Sequence, residues 1–152
     1  MSATLDVNLL VYAADETSDR HNRARSLLDW VATTPTITYL FWPVVLGYLR
    51  IITHPAVLRS PLTAAEAVAD IDGLISRPQI MVAGETDQFW RTFTGVARSM
   101  SPAGNLVPDA HLVSLMGDHG VSTIWTNDRD FRKFDGIKVN NPFDDRYSAG
   151  FE

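Results

Sequence analysis

The order of apolar and polar positions divides the chain into alternating strands and helices. Ala3–Leu5 is a short apolar run that stops at Asp6, and Leu9, Leu10, Val11 and Tyr12 follow it. This predicts a buried strand, an abrupt polar end and a short helix. Asp19 stands where it can cap a second helix, in which Ala24, Leu27, Leu28 and Val31 recur at helical spacing. Ile37–Phe41, β-branched and aromatic, reads as strand two. Pro43 suits the first turn of a helix carrying Val44, Val45, Leu49 and Ile52, which Pro55 closes. Thr63 and Glu66 form a capping-box pattern ahead of Val68, Ile71, Leu74 and Ile75. Pro78 leads into strand three, Ile80–Ala83. Thr86–Met100 predicts a helix with Phe89, Trp90, Phe93 and Ala97 on one side, and Ser101–Val107, with its Pro, Gly and Asn, a loop. Pro108 opens a helix whose inner face is Ala110, Leu112, Val113, Leu115 and Met116, and Gly120 ends it. Val121–Trp125 and Ile137–Val139 read as strands four and five. The expected architecture is one α/β domain over residues 1–143, three layers with a central parallel sheet of four to five strands between helices. Residues 144–152 read as a loose C-terminal tail.

Composition agrees with a globular domain: 152 residues, 45% hydrophobic and 20% charged, are enough to bury a sizeable core. No apolar run approaches the roughly 20 residues that span a bilayer, and the N-terminus lacks the pattern of a signal peptide. The chain has no cysteine, which excludes disulfides, thiolate ligands and cysteine nucleophiles. A cytoplasmic location is the default expectation. Net charge is −5, from 13 basic and 18 acidic residues. That argues against nucleic acid as a partner, unless several acids surround a divalent cation that reverses the local sign.

Ligands of open parallel sheets bind beyond the carboxyl ends of the strands. Asp6 directly follows strand one, Asp128 follows strand four, and Asp109 begins the helix that leads to strand four. Three carboxylates from remote parts of the chain are therefore expected to converge at one edge. Clustered carboxylates repel one another unless a cation lies between them. A set of oxygens without cysteine or paired histidines favours Mg2+, with Mn2+ as the alternative. Phosphodiester hydrolysis suits that constellation. Taken singly, each acid has an ordinary explanation: Asp6 as a cap, Asp109 as a first-turn charge, Asp128 and Asp130 as turn formers.

Three segments resemble motifs of the PIN-domain family, specifically the toxin ribonucleases of VapBC toxin–antitoxin pairs. They are Leu5-Asp6-Val7-Asn8-Leu9-Leu10-Val11-Tyr12-Ala13, Gly104-Asn105-Leu106-Val107-Pro108-Asp109-Ala110-His111-Leu112 and Thr126-Asn127-Asp128-Arg129-Asp130-Phe131. The resemblance spans nearly the whole chain and implies a PIN-like fold. It also implies a metal-dependent endoribonuclease with Asp6, Asp109 and Asp128 as catalytic and metal-holding acids. Asn8, Asn105 and Asn127 become polar supports, and Asp130 an outer-shell residue or a turn former. The implied partners are RNA, a cognate VapB-type antitoxin and a second copy of the chain. In one respect the pattern departs from the family: many members carry a glutamate three residues before the arginine matched by Arg50, and here that position is Gly47. The alternative reading is therefore a catalytically silent PIN-like module that binds RNA or protein.

Arg50 and Arg129 are candidate phosphate contacts, as are Arg132 and Lys133. His21, His54, His111 and His119 have no zinc-like spacing, and His111 reads as structural. Trp30, Trp42, Trp90 and Trp125 read as core or dimer-interface residues. A phosphatase or phospho-acceptor domain also places an acid after strand one, but such phosphatases need a second aspartate where Asn8 stands.

Overall fold

Thr4 is fully buried in the middle of β1 (Ser2–Leu5), and its hydroxyl donates to the Tyr39 carbonyl of the neighbouring strand at 2.9 Å. A polar side chain is tolerated there because its donor is satisfied. In the computed structural model, which describes residues 1–152, β1 is the centre of a five-stranded sheet. The other strands are β2 (Ile37–Phe41), β3 (Ile80–Ala83), β4 (Thr123–Trp125) and β5 (Lys138–Asn140). Their spatial order is β3-β2-β1-β4-β5, and every pairing is parallel. Leu5, Leu40, Phe41 and Ile124 are fully buried, as expected of strands covered on both faces. Each such side chain contributes about 1.5–3 kcal/mol.

Six helices connect the strands: α1 (Val7–Ala14), α2 (His21–Val31), α3 (Trp42–Ile52), α4 (Ala64–Ile75), α5 (Phe89–Met100) and α6 (Leu106–Asp118). The chain steps outward from β1 to β2 to β3, then returns past β1 to β4. With right-handed crossovers, α1 to α4 cover one face and α5 and α6 the other. The carboxyl ends of β1 and β4, where the direction of winding changes, form the crevice in which such sheets bind ligands.

The predicted bounds of β2 and β3 agree with the structure, and Thr63 and Glu66 form the full capping box of α4. Asp19 does not cap α2: the cap position is Arg20, without a side-chain bond. The preceding loop instead satisfies itself, with Asp15 accepting from Thr17 and Ser18 accepting from the Arg20 N–H. α5 begins at Phe89 because Thr86 closes a turn onto the Gln88 N–H. α6 begins at Leu106, two residues before Pro108, which a first turn accommodates. Trp90, read as a core or dimer-interface residue, is 69% exposed on α5 and so is not part of the core. Tyr147 and Phe151 are buried, with ring centroids 5.0 and 5.6 Å from Trp125, and Trp30 lies against both Trp125 and Phe151.

Candidate metal centre

The sheet ladder runs one residue past β1 and β4, and that extra residue positions the site. The Asp6 N–H donates to the Trp125 carbonyl at 3.0 Å, and the Thr126 N–H donates to the Asn140 carbonyl at 3.0 Å. Asp6 and Thr126 are thereby fixed side by side at the carboxyl edge. The Thr126 hydroxyl donates to Asp6 Oδ2 at 2.7 Å, and the Val7 N–H donates to Asp6 Oδ1 at 2.7 Å. Asp6 therefore both caps α1 and faces the site. Thr126 Oγ1 also accepts the Asp128 N–H at 2.9 Å, and Asp128 Oδ1 accepts the Asp130 N–H at 2.9 Å. One threonine thus couples the acid after β1 to the acid after β4.

Asp109, in the first turn of α6, completes the arrangement. Asp109, Asp128 and Asp130, all half-buried, each place a carboxylate oxygen within 4.8 Å of the others. The structure brings Asp130, expected in an outer shell or a turn, into this closest group. Asp6 is not in that group and interacts through charge with Asp128 and Asp109. Burial raises the Asp6 pKa, hydrogen bonds from Thr126 and Val7 lower it, and the charge on Asp128 raises it further. Asp109 is pushed up to about 7, first by burial and then by Asp128, Asp6 and Asp130, with Lys133 opposing. Lys133 pairs with Asp130 at 2.9 Å.

A set of hard, clustered carboxylate oxygens, with the pKa of Asp109 raised by burial and by its acidic neighbours, fits a divalent cation. Asp109, Asp128 and Asp130 can hold it, and Asp6, hydrogen-bonded to Val7 and Thr126, adds negative charge beside them.

The polar neighbours divide. Asn127 Nδ2 donates to the Tyr12 hydroxyl at 3.4 Å, while its buried Oδ1 has no partner. Asn8 lies half-buried in the first turn of α1, and Asn105 is exposed at the start of α6 without a capping bond. The structure does not join either to the acid network. Arg50 is exposed in the last turn of α3. His111 Nε2 is 2.6 Å from Glu85 Oε1, and its ring meets the edge of Phe89, away from the acid cluster's hydrogen bonds. Gly47 faces the start of α1, where an added Cβ would sit 3.4 Å from Val7 Cγ2. A cavity of about 280 Å3 among α1 to α4 contains none of the site's acids. Thr126 was the residue least visible in the sequence. A lone threonine after a strand is ordinary, and only the sheet register reveals its two partners.

Residues 3–137 match the PIN domain family. Ribonuclease VapC48 of Mycobacterium tuberculosis is 49% identical over 143 residues, covering 94% of this chain and 99% of that protein. Ribonuclease VapC43 of the same organism is 28% identical over 140 residues, covering 92% and 95%. Among solved structures, VapBC2 from Rickettsia felis, bound to a DNA fragment from their promoter, superposes with a TM-score of 0.68. Its identity is 15%, over 93% of this chain and 98% of that chain. VapC20 of Mycobacterium tuberculosis, described as a sarcin–ricin loop cleaving toxin, superposes with a TM-score of 0.61 at 18% identity, covering 86% and 92%. At these identities the structural likeness shows the fold alone.

Proposed function

The chain belongs to the PIN domain family, and from that premise we propose that it is the toxin of a type II toxin–antitoxin pair, an endoribonuclease that hydrolyses RNA phosphodiester bonds. One observation carries the reading. Carboxylate oxygens of Asp109, Asp128 and Asp130 meet within 4.8 Å at the sheet's switch point, in a chain 49% identical to a protein named a ribonuclease.

Mg2+ is the proposed ion, with Mn2+ able to replace it, because the donors are hard oxygens without thiolate or imidazole. When bound, such an ion polarises a phosphoryl oxygen and lowers the pKa of an attacking water. Asp109 and Asp128 are the proposed principal ligands. Asp6, held at both oxygens by Val7 and Thr126, presents a carboxylate that cannot swing away. Lys133 restrains Asp130, and Tyr12 orients the Asn127 amide beside Asp128. Arg50 and Arg129, both exposed, are the proposed contacts to RNA phosphates.

A VapB-type antitoxin is the proposed partner, by analogy with neighbours described as VapBC and toxin–antitoxin complexes. A homodimer is proposed from the large apolar side chains left exposed: Trp42 and Leu46 on α3, Met81 on the edge strand and Trp90 on α5. No helix is long and apolar enough to cross a membrane.

The test is cleavage of structured RNA by purified protein with Mg2+, Mn2+ or chelator, beside Asp109→Asn. Cutting that requires the ion and is absent in the variant is the expected result. Binding of Mg2+ without cutting of transfer or ribosomal RNA would favour the silent module, the reading that Gly47 supports.

A further inference from the structure

The 3-10 helix Arg129–Lys133 follows Asp128 directly. Side chains three residues apart eclipse in such a helix, so its sequence sorts into stripes. Phe131 and the following Phe134 form the buried stripe, with rings 6.4 Å apart. Asp130 and Lys133 form a second, joined by their ion pair at 2.9 Å. Arg129 and Arg132 form the third. Both are exposed, neither makes an ion pair, and both line one polar cleft of about 70 Å3. Asn127, Asp128, Asn141 and Asp144 also line it.

The cleft therefore shares Asp128 with the metal centre and carries two unpaired guanidinium groups in a chain of net charge −5. Nearby cations are otherwise engaged: Lys133 with Asp130, Arg20 with the Tyr12 hydroxyl and Arg23 with the Pro142 carbonyl. Asp144 has Arg146 4.0 Å away to offset its charge. Asn141 Oδ1 accepts the Phe143 N–H, which leaves its amide NH2 available to donate. Guanidinium forks match phosphate oxygens with two parallel hydrogen bonds.

We propose that Arg129 and Arg132 together form a subsite for a backbone phosphate of single-stranded RNA, flanking the bond that the acid cluster cuts. This rests on the ribonuclease reading and deepens it: the acids cut, and the arginine stripe sets where the strand lies. Phosphate contacts fix register without reading bases, so the subsite contributes affinity at any sequence.

The experiment uses Asp109→Asn protein in Mg2+, so that RNA is held but not cut, and follows binding of fluorescein-labelled oligouridylate by anisotropy across a KCl series. Each phosphate contact on a single strand contributes about 0.7 to the slope of log affinity against log salt. Adding Arg129→Gln or Arg132→Gln should flatten the slope by about that amount and weaken binding severalfold at low salt. Arg132→Lys should keep the slope while losing part of the affinity, because an ammonium lacks the fork. Arg98→Gln on α5 should leave both unchanged. If Arg129→Gln and Arg132→Gln bind with the parent's affinity and slope, the subsite is wrong and the nuclease reading stands. If the parent binds no oligouridylate and the native chain cuts no RNA, both fall.

Discussion

Partial burial and three neighbouring carboxylates all act on Asp109 in the same direction, and its pKa of about 7 gives the metal-free protein a pH signature. In the unfolded chain this group ionises near its ordinary value of 3.8. Between that value and about 7 the folded state keeps a proton that the unfolded state has lost, so this contribution to stability is present at low pH and is lost as pH rises through the window. Melting of chelator-treated protein, compared with Asp109→Asn, should show the native chain losing more stability between pH 5 and pH 8. Mg2+ should restore more of it at pH 8, where the carboxylate is charged. An identical pH profile in the variant would contradict the assignment. Cleavage responds to the same residues. A cation supplies several kcal/mol of transition-state stabilisation, and each 1.36 kcal/mol is tenfold in rate. Asp6→Asn, Asp109→Asn and Asp128→Asn should therefore each lower kcat/KM by roughly a hundredfold or more, with folding unchanged by circular dichroism. Gly47→Glu should tighten Mg2+ in a calorimetric titration, because its Cβ would stand in ordinary contact with Val7, next to Asp6. Unchanged affinity would show that this chain does not use the position.

Among the elements, those whose signal lies in their own residues were legible in the sequence. β2 and β3 carry dense β-branched and aromatic runs, and α4 opens on Thr63 and Glu66, which cap each other at 3.1 Å in both directions. Thr63→Ala should cost about 1 kcal/mol in urea denaturation, and a variant as stable as the parent would show that the box adds nothing. Boundaries set by distant partners were not legible. Thr86 stays outside α5 because its hydroxyl donates to Asp118 at 2.9 Å, across 32 residues of sequence. Asp19 lost the start of α2 to a loop that had already satisfied its own groups. The acids show the same division: Asp6 and Asp128 stood out by their position after predicted strands and Asp109 by its position at the start of a predicted helix. Asp130 joins the cluster through the turn of a 3-10 helix, which turn-forming residues alone do not reveal.

At the scale of the whole molecule, the parallel sheet gathers acids 103 and 19 residues apart in sequence, Asp6 with Asp109 and Asp109 with Asp128, at the point where winding reverses. The sequence carried the alternation of strands and helices that implies this edge, but not the closing role of the C-terminus. Its two aromatic residues, Tyr147 and Phe151, lie among polar and small ones, without the periodicity of an element, and only contact with Trp30 and Trp125 explains them. Phe151→Ala should destabilise the protein by about 3 kcal/mol, read from the shift in the urea midpoint. No shift would mean that the terminus is loose in solution. The central claim, that these acids form one divalent-cation site, is tested most directly by anomalous diffraction from crystals grown with Mn2+. The expected result is a peak bounded by carboxylate oxygens of Asp109 and Asp128, lost in crystals of Asp109→Asn. A peak elsewhere, or none at saturating Mn2+, would contradict the account.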